Sequence, residues 1–175
     1  YEEAPMKIDI SEILNRETTH IDINFEGNVE GLENPINGYF FPENVSFRGA
    51  LIRVKNLLNL SGKINFQFDT NCYRCLQNIH GDMTIDVNEN VYNAATVKPG
   101  DDVFTYEGNY LDLDVILKNY IILNLPMKEV CSPECKGLCP KCGKNLNKGK
   151  CDCDDDMYIN PQMEVLKQLN LNDNE

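Results

Sequence analysis

Eight cysteines in short, repeated spacings are the residues of this sequence best suited to chemistry. Two of them form an early pair, Cys72-x-x-Cys75, and six lie near the C-terminal end. The six are Cys131, Cys135, Cys139, Cys142, Cys151 and Cys153. Thiolates two or three residues apart on turns rich in Gly, Pro and Lys can point at one centre, which is how tetrahedral Zn²⁺ sites are built. The pattern therefore predicts zinc as the cofactor, as one or two ions with two favoured.

Sequence spacing also predicts how the thiols divide between two metals. One site can close locally, as C-x-x-C followed by C-x-C, from Cys139, Cys142, Cys151 and Cys153. The other would join distant parts of the chain and constrain a long loop, through Cys72, Cys75, Cys131 and Cys135. One alternative has a single metal and leaves the early pair, Cys72 and Cys75, as a redox couple. In another, His80 replaces one thiolate as a ligand.

An even number of cysteines also permits a disulfide framework. Such scaffolds are usually short secreted chains that cannot bury an adequate core, whereas this chain has 175 residues, 42% hydrophobic content and long stretches without cysteine. Its first five residues lack the basic and apolar pattern of a signal peptide. We therefore expect reduced thiols and a cytoplasmic protein. The apolar runs are also far too short for a membrane span, so no membrane association is predicted.

The charge of the chain is strongly acidic, with one basic exception. A net charge of −12 at pH 7 argues against generic attraction to nucleic acid, because phosphates are neutralised by Lys and Arg. Residues 131–150, however, carry five lysines and one acid. Phosphate contacts are predicted for these lysines and for the arginine inside the first cysteine pair, namely Arg74, Lys136, Lys141, Lys144, Lys148 and Lys150. The lysines could equally balance the negative charge of zinc-bound thiolates.

Alternating apolar and polar residues predict an antiparallel sheet. The predicted strands span residues 18–29, 45–60, 63–69 and 79–91. The second of these is either one bent strand or two, and Ser61-Gly62 is expected to turn the chain into the next strand. Cys72 and Cys75 would lie at the tip of the following hairpin. Residues 93–109, with Pro, Gly and several acids, predict an exposed loop.

A change to helical period marks residues 112–123. Asp112 and Asp114 lie in the first turn, and Pro126 follows the end. The predicted fold class is α+β, with a strongly curved antiparallel sheet that could close into a barrel, a packing helix and a zinc-bound C-terminal segment. Residues 6–125 would form the sheet domain. Residues 126–170 would form a cysteine-rich segment with a short C-terminal helix, packed on the first domain and folded by metal binding.

Three blocks of the sequence, taken in order, resemble one protein family. They are Asn71-Cys72-Tyr73-Arg74-Cys75-Leu76, Leu125-Pro126-Met127-Lys128, and the run from Cys131 through Cys139-Pro140-Lys141-Cys142-Gly143 to Cys151-Asp152-Cys153. The combination is similar to the YceD-like family, the large ribosomal RNA subunit accumulation proteins of bacteria and plastids, in its cysteine-rich form. The similarity runs from about residue 6 to residue 169.

The resemblance implies a non-catalytic factor that supports accumulation of large-subunit ribosomal RNA during ribosome assembly. The implied partners are that RNA or its precursor, with ribosomal proteins or other assembly factors as further candidates. Two readings of the contact remain open. One is a zinc-stabilised module that binds RNA through the basic residues named above. The other is an acidic factor that binds basic proteins without direct RNA contact. A thiol oxidoreductase built on Cys72 and Cys75 is the enzymatic alternative.

Overall fold

The computed structural model describes residues 6–32, 35–55, 57–98 and 102–153. The chain divides into two compact units, Tyr1–Cys135 and Lys136–Glu175. The helices and strands of the described residues all belong to the first unit. The division at residue 125 and the packing of the cysteine-rich segment on the sheet domain stay predictions.

Four long strands form the body of the first unit. They are β2 (His20–Gly27), β3 (Val45–Val54), β4 (Leu57–Asn71) and β5 (Asn78–Asn93), after a short β1 (Lys7–Asp9) and a one-turn helix α1 (Ser11–Leu14). The four pair antiparallel with their neighbours in the chain, and alternate residues of each are buried or half-buried. One face therefore lies on the core, which confirms the α+β class and an antiparallel sheet.

The glycine at position 62 does not make the predicted turn. The chain reverses earlier, between β3 and β4, where Lys55 has a φ of 60°. Ser61 and Gly62 lie inside β4, and Gly62 faces Gly49 across the pair. A Cβ at Gly62 would come within 2.7 Å of both the Gly49 Cα and the Phe47 Cζ. This glycine permits close approach of two strands beneath a phenyl ring, and the turn prediction is wrong.

The sheet of the described residues is open and does not close into a barrel. Its order is β2-β3-β4-β5-β6, and the last strand, β6 (Phe104–Tyr106), pairs parallel with only the end of β5. The loop prediction for residues 93–109 is wrong over this strand. A separate small sheet joins β1 to β7 (Tyr110–Asp112). Because the sheet does not close on itself, helices cover its core face. Buried residues of α1 and of the next helix form one hydrophobic cluster with those of the sheet.

The predicted helix is confirmed as α2 (Leu113–Asn124). Asp112 is its N-cap and accepts a hydrogen bond from the Val115 N–H at 3.4 Å. The buried Asp114 accepts one from the Met6 N–H at 2.8 Å, which attaches the start of the domain to the helix. The helix ends before Pro126, since the residue preceding a proline avoids helical geometry.

The second unit is described over residues 136–153, which contain turns and a single bridge between Leu138 and Asn145. The predicted C-terminal helix, over residues 161–169, lies outside the described residues. In the described part of the chain, no helix has the length and apolar character needed to cross a membrane.

Candidate metal centres

The eight thiols come together in two groups of four. Within each group all four sulfur atoms lie within 4.8 Å of one another. We call the first the hairpin cluster, formed by Cys72, Cys75, Cys131 and Cys135. The second, the local cluster, is formed by Cys139, Cys142, Cys151 and Cys153. The thiols therefore fall into the two groups that the spacing predicts, and each group could hold a metal ion.

Sulfur–sulfur distances in the hairpin cluster fit a tetrahedral metal site. Zn–S bonds of about 2.3 Å place tetrahedral sulfurs about 3.8 Å apart. The Cys72 and Cys135 sulfurs are 3.8 Å apart, and those of Cys75 and Cys131 are 3.6 Å apart. All eight cysteines are free thiols, and these separations far exceed a disulfide bond of about 2.0 Å. The donor set thus has the number, chemistry and spacing of a structural metal site.

The tip of the β4–β5 hairpin holds the first two thiols. The strands close with Asn71 opposite Asn78, which leaves residues 72–77 as the loop. The Leu76 N–H donates to the Cys72 carbonyl at 2.9 Å, and Leu76 has a φ of 57°. The Cys72 N–H donates to the Gln77 carbonyl at 2.8 Å. This tight turn faces both thiols inward, and Cys72 and Cys75 are buried.

The chain after α2 brings the other two thiols to the hairpin tip. The Tyr39 hydroxyl donates to the Pro126 carbonyl at 2.8 Å, and the Tyr73 N–H donates to the Glu129 carbonyl at the same distance. The Arg74 guanidinium donates to the Cys135 carbonyl at 3.1 Å. Hydrogen bonds on both sides of the cysteines therefore position this segment, and the cluster does not depend on the sulfurs alone.

The local cluster repeats the same turn. The Gly143 N–H donates to the Cys139 carbonyl at 2.9 Å, and Gly143 has a φ of 73°. The Cys139 N–H in turn donates to the Lys144 carbonyl at 2.9 Å. Two asparagines support this turn, and the sequence analysis did not predict this role for them. The Asn147 side chain accepts from the Lys136 N–H at 2.8 Å, and the Asn145 side chain accepts from the Asn147 N–H at 2.9 Å. The Asn-x-Asn pattern, typical of Asx turns, is the available signal.

Backbone N–H groups lower the pKa of the first thiol of the hairpin turn. Burial raises the pKa of Cys72, but three N–H groups that face its sulfur outweigh burial and bring the pKa to about 6. They belong to Cys131, Cys75 and Arg74. The opposite shift occurs at Cys131, where hydrogen bonding with the Cys135 and Cys75 thiols raises the pKa to about 12. The turn thus favours negative charge on Cys72.

The local cluster shows the same pair of shifts. N–H groups of Cys142 and Lys141 lower the pKa of Cys139 to about 6. Hydrogen bonding with the Cys142 thiol raises the pKa of Cys153 to about 12. In both clusters the first cysteine of the C-x-x-C turn is therefore the one whose thiolate the backbone stabilises.

The basic residues predicted to contact RNA are divided between the two units. All five lysines of the cysteine-rich segment are exposed and belong to the second unit. The Lys144 ammonium donates to the Lys150 carbonyl at 2.6 Å and so also holds the loop. Arg74 is exposed, belongs to the first unit and binds carbonyls beside the hairpin cluster. Their contact with RNA stays a prediction.

His80 belongs to neither group of thiols. It is exposed on β5, and its Nδ1 is 2.5 Å from the Asp69 carboxylate on β4. The metal-competent groups found among the described residues contain cysteines only. His80 therefore does not take the place of a thiol in the hairpin cluster.

Comparisons with known proteins identify a family and several relatives. The family described as "Large ribosomal RNA subunit accumulation protein YceD" matches residues 60–170. The "Large ribosomal RNA subunit accumulation protein YCED homolog 1, chloroplastic" of Arabidopsis thaliana is 40% identical over 50 residues, which are 29% of this chain and 16% of that protein. An uncharacterized protein of Mycobacterium leprae is 28% identical over 123 residues, 66% of this chain and 54% of that protein.

A further relative, an uncharacterized protein of Mycobacterium tuberculosis, is 33% identical over 79 residues, 43% of this chain and 38% of that protein. The chain thus spans from 16% to 54% of the length of these curated relatives. No solved structure matches it. The family match covers more than half of the chain and includes all eight cysteines, and the chain therefore belongs to the YceD family of large ribosomal RNA subunit accumulation proteins.

Proposed function

We propose that this protein is a non-catalytic factor that supports accumulation of large-subunit ribosomal RNA during ribosome assembly. In this proposal one Zn²⁺ lies in each cysteine cluster, and the exposed lysines of the second unit contact the RNA or its precursor in the cytoplasm. Family membership supports the assembly role. The observation that carries the proposal of two zinc sites is the pair of four-thiol groups, each with its sulfur atoms within 4.8 Å of one another.

The donor chemistry supports zinc in a structural role. Four thiolates satisfy a tetrahedral Zn²⁺ and leave no open position for a reacting water. The N–H groups that face Cys72 and Cys139 stabilise the negative charge that such a site carries. A four-thiolate site is therefore suited to holding loops in place, which agrees with a binding protein rather than a metalloenzyme.

The charge of residues 136–153 supports an RNA contact on this part of the second unit. The chain as a whole has a net charge of −12, so an RNA surface must be local. Residues 136–153 contain five lysines against one acid, Asp152, a formal charge of +4. Zinc bound by four thiolates would contribute −2 and leave this segment positive. Exposed lysines on loops held by a metal are suited to phosphate contacts.

Two other functions remain as alternatives. The acidic balance of the first unit favours binding to a basic protein in place of RNA, since complementary charge steers such partners together. A thiol oxidoreductase would need a separate dithiol at Cys72 and Cys75. Against this, both thiols lie beside Cys131 and Cys135 in one four-thiol group.

RNA contact is tested by two variants of equal charge. The first changes four exposed lysines of the second unit to Gln, at Lys136, Lys141, Lys148 and Lys150. The second, the control, changes four exposed lysines of the first unit, at Lys7, Lys55, Lys63 and Lys98. Lys144 is left in place because it binds the Lys150 carbonyl. Binding of labelled large-subunit RNA fragments is measured by filter retention at several salt concentrations.

We expect the second-unit variant to lose affinity and the control to keep most of it. Each phosphate contact removed should also lower the salt slope of log K by about 0.7 to 0.9. Zinc content and circular dichroism check that both variants fold. Equal losses in the two variants, or binding that does not depend on salt, would contradict the RNA surface. In cells that lack the protein, complementation by the control but not by the test variant should restore the ratio of large- to small-subunit RNA.

A further inference from the structure

A groove on the first unit, away from the hairpin cluster, has an acidic wall. It has a volume of about 990 Å³ and lies between α2, the end of β5 and the β6–β7 region. Four carboxylates line it against one ammonium group, that of Lys7. They belong to Glu89, Asp102, Glu107 and Asp112. The described lining therefore has a formal charge of −3, concentrated along one concavity, which raises the local concentration of positively charged partners.

The groove also has an exposed apolar stripe. Val115 and Leu123 lie two turns apart on one side of α2, opposite the helix face that is buried in the core, and they are 51% and 82% exposed. Val103 and Tyr110 add exposed apolar surface from the β6–β7 region, at 42% and 52%. Four exposed apolar side chains and four carboxylates therefore line the same concavity.

A partly buried contact joins α2 to two residues that line the groove, Glu89 and Phe104. The Tyr120 hydroxyl donates to the Glu89 carboxylate at 2.7 Å, and its ring stacks on Phe104 with centroids 6.3 Å apart. Burial and Glu89 raise the pKa of Tyr120 to about 12, so the hydroxyl keeps its proton at physiological pH. A site that is preformed in this way loses less conformational entropy when a partner binds.

We propose that this groove binds a basic, amphipathic segment of another protein, in which Lys or Arg side chains alternate with apolar ones. The cations would face the carboxylates of the groove, and the apolar side chains would cover Val115, Leu123 and Tyr110. The chain's own residues 154–175 carry six acids and one lysine, so their charge has the same sign as the groove. Charge complementarity therefore disfavours this acidic segment and favours a basic one as the occupant. The groove belongs to the first unit, whereas the proposed RNA surface belongs to the second.

The test uses the full, zinc-loaded chain and a fluorescein-labelled peptide of repeated Lys-Ile-Arg-Leu units. Fluorescence anisotropy compares Asp102→Asn/Glu107→Gln with the control Glu17→Gln/Glu26→Gln. All four side chains are exposed, and both variants lose two negative charges. We expect the groove variant to bind at least about fivefold more weakly. The control should change binding by less than about twofold, as for isolated surface charges.

A second pair of variants tests the apolar stripe. Val115→Thr/Leu123→Asn lies in the groove, and Val54→Thr/Leu57→Asn makes the same changes at residues 54% and 41% exposed near the β3–β4 turn. Only the groove pair should weaken binding of the peptide. A second peptide, with Ser in place of Ile and Leu, should bind the wild type more weakly than the first peptide does. Equal effects of the test and control pairs would overturn the proposal in favour of general attraction to an acidic protein. Loss of labelled RNA binding in the groove variants, with peptide binding unchanged, would overturn it in favour of RNA.

Discussion

Cys72–Leu76 and Cys139–Gly143 follow the same turn in very different surroundings. In each, the N–H of the fifth residue donates to the carbonyl of the first, at 2.9 Å, and the fifth residue has a positive φ. In each, the first cysteine has its pKa lowered to about 6, by N–H groups of Cys131, Cys75 and Arg74 at Cys72 and by those of Cys142 and Lys141 at Cys139. The backbone of the thiolate turn is therefore alike in the two places, although at Cys72 an N–H from outside the turn, that of Cys131, also stabilises the thiolate.

The two turns differ in what they join. The hairpin cluster rests on two strands and takes its other thiols from beyond α2, with Cys75 and Cys131 separated by 56 residues. The local cluster takes all four thiols from residues 139–153, a segment with few large apolar side chains. A metal in the first would act as a long-range clip on a fold that already has a core. A metal in the second would supply most of the folding free energy of its segment.

Removal of one ligand from each cluster should give the largest effects and separates these two roles. Cys75→Ser opens a long loop and should lower the free energy of unfolding of the sheet by about 4 kcal/mol, the chain-entropy value for a cross-link of this span. Cys142→Ser opens only a short loop and should change sheet unfolding much less, although the proposed metal of the local cluster would be lost. Urea titration followed by far-ultraviolet circular dichroism measures both.

Chelation provides the control for this comparison. With the metal removed, the wild type and Cys75→Ser should unfold at nearly the same urea concentration, because neither then has the clip. A difference that persists in chelator would show that the serine disturbs packing around the buried Cys75 instead. Equal losses for Cys75→Ser and Cys142→Ser would contradict the distinction between clip and local fold.

A smaller effect is expected from Gly143→Ala. Gly143 has a φ of 73°, and nothing lies within 4 Å of the position that a Cβ would occupy, so the cost is that of the backbone alone. A cost of about 1 kcal/mol weakens zinc binding at the local cluster about fivefold. Competition with a coloured chelator measures this affinity. Gly108→Ala, at a φ of 57° with equally open space, carries similar strain in the β6–β7 connection, outside both groups of thiols, and should leave zinc affinity unchanged.

The smallest effect should come from Leu76→Gly, which makes the hairpin turn resemble the local one. Leu76 is 65% exposed, so its removal loses little burial, while glycine relieves the left-handed backbone conformation. The entropy that glycine gains in the unfolded chain offsets part of this, and we expect a net gain of about 0.5 to 1 kcal/mol. Lys55→Gly, at a φ of 60° in the β3–β4 turn, is the matched variant. A large loss for Leu76→Gly alone would mean that the leucine side chain itself supports the cluster.

The sequence predicts the features that depend on local chemistry. The C-x-x-C spacing with a following Gly143 indicates a thiolate turn, and the alternation before Cys72 places that turn at a hairpin tip, where the structure has it. The helix over residues 113–124 is predictable because its apolar period, N-cap and following proline agree. Each signal lies within a few residues of the feature that it predicts.

The features that the sequence analysis predicts wrongly or misses depend on residues far apart in the chain. The sequence around Gly62 is equally compatible with a turn and with a strand position opposite another glycine. Its partner, Gly49, can be identified only from the register of β3 and β4. Strand β6 is too short for its period to be read. The acidic groove combines side chains of three separated segments, so no window of the sequence contains it.

In the proposed function, each group of four thiols holds a metal ion of its own. Native mass spectrometry of the protein purified without added metal tests it most directly. The account predicts two zinc ions per chain, with one ion remaining in Cys75→Ser and one in Cys142→Ser. A chain that carries no metal, a single zinc shared by both groups, or iron in place of zinc would contradict it.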